Sequence, residues 1–86
     1  MSSDRRTLLL LGWLLVQVSG GSVSRIGEFP SSCMCGSARD AYVADETARE
    51  VDGAILALPP ENAQRQKAWA RAAARVAGRY QCRPER

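Results

Sequence analysis

The amino terminus holds the feature that most limits what this chain can fold into, an uncharged apolar run directly after two arginines. Arg5 and Arg6 precede the segment Thr7–Val18, which is twelve residues long and carries no charge. A membrane-spanning helix needs about 20 apolar residues. A positive start, a short apolar segment and a following stretch of small residues are instead typical of a secretory signal peptide.

The amino-terminal segment therefore predicts export. We expect residues 1–20 to be a signal peptide, cleaved after Gly20 or as late as Ser24, and the mature protein to be secreted or periplasmic. The alternative is an uncleaved segment reaching Val23, which would leave the protein membrane-anchored. Cleavage after Gly20 leaves 66 residues, and chains of that size usually need a covalent link or a metal to support a small core.

Three cysteines, Cys33, Cys35 and Cys82, could provide the covalent link. Cysteines of exported proteins are read first as disulfide partners, and an odd number leaves one thiol over. The first two lie in residues 21–36, a stretch whose first twelve residues contain glycine, serine and proline and have no helical period. It predicts a flexible linker.

Two amphipathic helices are predicted after the linker, over residues 37–58 and 60–80. Ser37 is the expected N-cap of the first, and Pro59-Pro60 is expected to end it. In both segments the inward positions recur at spacings of three and four, which puts them on one helix face. These positions are Ala41, Ala44, Ala48, Val51, Ile55 and Leu58 in the first helix and Gln66, Trp69, Ala73, Val76 and Tyr80 in the second.

The expected fold is all-α, an antiparallel two-helix hairpin over residues 37–82, followed by a short tail, residues 83–86. Two helices of similar length joined by a proline turn favour this arrangement. The start of the first helix then lies beside the end of the second. We therefore expect a disulfide from Cys82 to Cys35 or Cys33.

A basic stripe follows the second helix, because a lysine and three arginines recur at every fourth position. Its members are Lys67, Arg71, Arg75 and Arg79. Residues 61–86 carry a net charge of +5, against −3 for residues 37–60. The stripe could contact an acidic partner protein or an anionic membrane surface. Alternatively, it is a solvated face that pairs with acids of the first helix, namely Asp45, Glu46, Glu50 and Asp52.

Trp69 and Tyr80 have two interpretations as well. Aromatic side chains often anchor protein interfaces, but both residues lie on the inward positions of the second helix. The periodicity favours core packing for both.

Catalysis is not expected. The chain has no histidine, which excludes serine–histidine and cysteine–histidine catalysis and every metal site built on imidazole. It has no glycine-rich phosphate-binding motif, and a two-helix layer is too thin to enclose a small-molecule pocket. We expect no catalytic residue, no metal, no cofactor, no nucleic acid and no small-molecule substrate.

Residues 49–82 resemble the carboxy-terminal part of Tai-type periplasmic immunity proteins. The resemblance lies in Glu50-Val51-Asp52, in Leu58-Pro59-Pro60-Glu61, and in alanines at helical spacing up to Tyr80-Gln81-Cys82. It implies a small exported, disulfide-bonded helical protein that binds and blocks a toxic peptidoglycan amidase, and a structural role for Cys82. Upstream, the family's aromatic–Cys–x–Gly–Tyr segment is replaced by Cys33-Met34-Cys35-Gly36.

The sequence thus predicts a small exported binding or inhibitory protein that acts through an exposed helix face. The alternative is a membrane-anchored accessory protein of the lysis or conjugation type. In that case the amino terminus stays in the membrane and the basic helix touches anionic lipid.

Overall fold

A three-stranded antiparallel sheet and three helices make up the part of the chain that the computed structural model describes, residues 12–85. The strands and helices follow one another along the chain in the order β1 Trp13–Ser19, β2 Ser22–Phe29, α1 Ser32–Glu50, α2 Gly53–Leu56, α3 Ala63–Ala77 and β3 Tyr80–Pro84. The sheet order is β2-β1-β3, so the first strand is central. The helices α1 and α3 pack together, and α1 also contacts all three strands.

The all-α hairpin prediction is wrong, because the chain adds a sheet to the helix pair. Residues 13–29 and 80–84 supply its strands. A central strand that is covered on both sides reads as a continuous apolar run without the two-residue alternation of a half-exposed strand. The run before Val18 has that character, and a short apolar run after two arginines is equally typical of a signal peptide. The linker prediction for residues 21–36 is wrong as well, since β2 and the start of α1 together occupy thirteen of these sixteen residues.

Strand β1 lies inside the predicted signal peptide, whose first eleven residues fall outside the described part of the chain. Cleavage of the signal peptide stays a prediction, and it has a physical consequence. A cut after Gly20 or Ser24 would remove the central strand and, with it, the fully buried Leu15.

A two-residue turn joins β1 to β2. Gly20 and Gly21 have φ angles of 54° and 86°, and Ser19 pairs with Ser22 across them. Positive φ at both central positions defines the type I′ turn, which matches the twist of a hairpin and strongly favours glycine. The small residues expected at a cleavage site thus form a hairpin turn.

The disulfide joins Cys35, in the first turn of α1, to Cys82 in β3. This confirms one of the two expected pairings, and Cys33 is exposed and free. Strand β3 runs beside β1, with Cys82 opposite Leu15. The disulfide therefore fastens the start of α1 to the edge strand β3, at the level of Leu15 in the central strand.

The core is centred on four side chains with 5% exposure or less, namely Leu15, Cys35, Val76 and Tyr80. Of the predicted inward positions of the second helix, Val76 and Tyr80 are buried, but Tyr80 lies in β3 because α3 ends at Ala77, short of the predicted end at residue 80. The predicted inward face of the first helix is wrong at Ala41, Ala44 and Ala48, which are exposed, whereas Val51 is buried. Cys35 and Thr47 are the buried residues of α1. Alanine gains little from burial, so a row of alanines is a weak marker of the inner face.

The helix boundaries differ from prediction because the polar caps lie elsewhere. Ser31, not Ser37, caps α1, and its side chain accepts a hydrogen bond from the Met34 N–H. The first predicted helix is interrupted after Glu50, where Val51 takes an extended conformation. The carboxylate of Asp52 then caps the short helix α2, and the amide oxygen of Asn62 caps α3, two residues after the predicted start.

Candidate partner-binding surface

The basic stripe divides into two halves with different surroundings. Arg79 forms ion pairs with both Glu46 and Glu50, and the Arg75 guanidinium lies 3.6 Å from Glu50. These contacts hold α3 against α1 in an antiparallel arrangement. For Arg75 and Arg79 the structure therefore supports the interpretation as cross-helix pairs.

Glu46 is the centre of this cluster. The Tyr80 hydroxyl donates a hydrogen bond to Glu46, and the Tyr80 ring stacks on Tyr42 at a centroid distance of 5.8 Å. The hydrogen bond to Glu46, together with burial, raises the pKa of Tyr80 to about 12. The pKa of Glu46 is lowered, first by the Tyr80 hydrogen bond and then by Arg79. Both directions show that the cluster stabilises the fold with Tyr80 protonated and Glu46 ionised.

A second contact between the helices uses Arg39 of α1, whose side chain is about one third exposed. Its guanidinium donates to the carbonyl oxygens of Ala77 and Tyr80, both at 2.9 Å. A cation at the carboxyl end of a helix satisfies free carbonyls and opposes the negative end of the helix dipole. Arg39 therefore acts as a cap for α3.

The other half of the stripe is free of such contacts. Lys67 and Arg71 are exposed, and no carboxylate among residues 12–85 lies within ion-pair distance of either. The reason is the register of the two long helices. Because Glu50, the last residue of α1, faces Arg75, the part of α3 before Arg75 extends past the end of α1.

A surface groove runs beside Lys67 and Arg71, where α2 packs against this extension of α3. Its volume is about 450 Å³. We call it the α2–α3 groove, and its lining residues are Ile55, Ala63, Gln64, Lys67, Ala68 and Arg71. It combines two cations with an apolar floor.

Trp69 is not a core residue, although the helical periodicity favoured that. It is half-buried and lies outside the core cluster, whereas Tyr80 is inside it. Together with Pro60, Arg65 and Gln66 it lines a groove of about 320 Å³, which we call the Trp69 groove. Arg65 was not among the candidate residues, because it is not part of the four-residue repeat. Its spacing of four from Trp69, which puts both on one side of a helix, is the signal that would have found it.

The described residues contain no cluster of histidine, cysteine or carboxylate side chains that could hold a metal ion. Among residues 12–85 no helix is long and apolar enough to cross a membrane. No protein-family model, curated protein or solved structure matches the chain. What the molecule does therefore has to be inferred from the contacts and charges of its own residues.

Proposed function

We propose that this chain is a small non-catalytic binding protein that recognises an acidic partner protein through the α2–α3 groove. The observation that carries the proposal is the division of the basic stripe. Arg75 and Arg79 pair with carboxylates of α1. Lys67 and Arg71 have no ion-pair partner among residues 12–85 and lie beside the apolar Ile55.

The free half of the stripe favours a protein partner over a lipid surface. An uninterrupted row of cations would suit a flat anionic membrane. Here two cations flank a concave apolar strip, which fits an acidic segment that also carries an apolar side chain. The α3 helix has four basic residues and no acid, so its field attracts such a segment before contact.

The disulfide supports an oxidising compartment, because such bonds persist mainly in secreted, periplasmic and other oxidising environments. We propose a secreted or periplasmic protein whose working form keeps β1, and this proposal replaces the expected cleavage after Gly20 or Ser24. Inhibition of the partner is the consequence we propose for binding, in line with the resemblance to immunity proteins.

The proposal is tested with two double charge reversals within the basic stripe. Lys67→Glu with Arg71→Glu reverses the free cations. Arg75→Glu with Arg79→Glu reverses the paired ones and is the matched control, since both variants change the net charge equally. The first variant should keep the wild-type thermal midpoint, and the second should lower it, because two arginines that face Glu46 and Glu50 become acids.

Binding is measured by selecting random peptides displayed on phage against the oxidised protein. We expect enrichment of sequences that combine acidic and apolar residues, and at least tenfold weaker binding of these peptides to the variant with Lys67 and Arg71 reversed. Enriched peptides without an acidic excess, or equal binding to that variant, would contradict the proposal. Vesicles of anionic phosphatidylglycerol are the comparison surface. Tight binding to them that needs the same two cations, with no peptide enriched, would favour the membrane alternative.

A further inference from the structure

The Trp69 groove differs from the α2–α3 groove in having an aromatic wall and a partly buried arginine. Its volume of about 320 Å³ is at the lower end of the range for ligand sites, and it is lined by Pro60, Arg65, Gln66 and Trp69. The Gln66 side-chain amide donates to the Pro60 carbonyl oxygen at 3.3 Å, which ties the turn before α3 to the helix.

Arg65 carries a donor that has no acceptor within the described part of the chain. Its Nε atom is buried and makes no hydrogen bond there, and no carboxylate of residues 12–85 pairs with its guanidinium. A buried donor without an acceptor costs free energy, and the cost is larger on a charged group. A ligand carboxylate in the groove removes that cost when the Arg65 side chain turns so that its Nε–H meets the carboxylate.

The chemistry of a guanidinium identifies the acceptor that fits best. Nε and one Nη of arginine form a planar pair of donors whose spacing matches the two oxygens of a carboxylate. Arg65 also stands in the first turn of α3, three residues after its Asn62 cap, where the positive end of the helix dipole favours an anion. The Trp69 indole, four residues further on, offers an apolar wall beside that position.

We propose that Arg65 and Trp69 form a carboxylate-binding subsite that takes a carboxylate carried next to a bulky apolar side chain. This deepens the proposed function, on which it rests for the assignment of a protein partner. Two parts of a partner could supply the group, its carboxyl terminus or a glutamate or aspartate side chain, and the experiment separates them.

The probes are three short acetylated peptides that end in phenylalanine. The first peptide has a free carboxyl group on its phenylalanine. In the second the phenylalanine is amidated and a glutamate precedes it, and in the third the phenylalanine is amidated and a glutamine precedes it. They are titrated into the full, oxidised, ¹⁵N-labelled chain. The Nε–H signal of Arg65 and the indole N–H signal of Trp69 are followed by NMR, because these atoms report on the subsite directly.

We expect at least one of the two carboxylate peptides to move both signals and the glutamine peptide to move neither at the same concentration. The peptide that binds identifies the source of the carboxylate. Arg65→Lys keeps the charge but loses the planar pair of donors, so it should weaken binding at least tenfold. Trp69→Ala should also weaken it. Arg49→Lys is the matched control, because Arg49 pairs with Asp45 on α1, away from the groove, and it should leave the affinity unchanged.

Three results would overturn the proposal. Equal shifts with the glutamine peptide would mean that the groove takes only the apolar side chain. Undiminished binding to Arg65→Lys would mean that charge alone is recognised, and no shift with any peptide would mean that there is no subsite. Thermal melts of each variant confirm that it is folded, which is expected because the Asn62 cap uses the backbone N–H of Arg65.

The same titration on the variant with Lys67 and Arg71 reversed separates this inference from the proposed function. Those two residues line the other groove, so the carboxylate peptide should still move the Arg65 signal. If the selected peptides fail to show the expected dependence on Lys67 and Arg71 but the carboxylate peptide still moves the Arg65 signal, the subsite is supported and the α2–α3 groove is refuted. The reverse result would support the α2–α3 groove and refute the subsite.

Discussion

The link between Cys35 and Cys82 should account for a large share of the stability of this protein. It joins positions 47 residues apart. In the chain-entropy model, closing a loop of that length destabilises the unfolded state by about 4 kcal/mol. For a chain of 60–100 residues, each kcal/mol moves the thermal midpoint by about 4–8 °C. Reduction should therefore lower the midpoint by roughly 15–30 °C.

The measurement is best made on Cys33→Ser, because the exposed free thiol of Cys33 could exchange with the disulfide during heating. Thermal melts followed by circular dichroism, with and without reductant, give the two midpoints. Cys82→Ser in the same background should melt like the reduced protein under both conditions. Equal midpoints for oxidised and reduced Cys33→Ser, or a bond between Cys33 and Cys82 in the wild-type protein, would refute the reasoning.

Four further perturbations probe the packing of the sheet and the contacts around α3. Leu15→Ala should lower the free energy of unfolding in urea by about 2–5 kcal/mol, because Leu15 is fully buried. Leu14 lies on the opposite face and is only half-buried, so Leu14→Ala should lower it clearly less. Equal losses in the two variants would contradict the sheet packing. Arg39→Ala should lower the free energy of unfolding by about 2 kcal/mol, since it removes two charge-assisted hydrogen bonds to carbonyls. An unchanged urea midpoint would show that Arg39 does not stabilise α3 as a cap. Folding raises the pKa of Tyr80 from 10.0 to about 12. The contribution of the protonated hydroxyl to the free energy of unfolding is therefore complete below pH 10 and is lost as the pH rises towards 12. Unfolding curves of Tyr80→Phe should lack this alkaline loss of stability. Folding lowers the pKa of Glu46. The contribution of the ionised carboxylate to the free energy of unfolding is therefore present above the usual pKa of glutamate and is lost in acid. The stability of Glu46→Gln should fall less in acid than that of the wild-type protein.

The helix pair and the disulfide could be predicted from the sequence because they depend on local signals. A change of pattern after the cysteines and a proline turn indicate two helices, and two helices of similar length bring Cys82 near Cys35. The buried Val76 follows from the period of its own helix. None of these features depends on where the remaining segments of the chain pack.

The sheet was missed because its central strand has the composition of a leader. An apolar run can be a signal segment or a strand covered on both sides, and the two differ in what packs around them, which no local pattern states. One local signal was present. Gly20-Gly21 between two segments that could pair is a hairpin turn sequence, which predicts a strand on each side of it.

The division of the basic stripe could not be predicted either. A spacing of four places Lys67, Arg71, Arg75 and Arg79 on neighbouring positions, but their pairing depends on where α1 stops. That end is set by Val51, which leaves the helical conformation and is buried. The expected first helix continued to Leu58 and would have covered the whole stripe.

Hydrogen exchange of the full, oxidised chain, recovered after export, tests the central claim that the amino-terminal apolar run is the middle strand of the folded protein. Mass spectrometry of peptides from residues 13–19 measures it, because Leu15 and Val16 lie between two paired strands and the Val18 N–H donates to the Arg79 carbonyl oxygen. We expect these peptides to be present and to exchange as slowly as those of α3. Rapid exchange in this segment, or a mature protein that begins after Gly20 or Ser24 with its helices still folded, would contradict it.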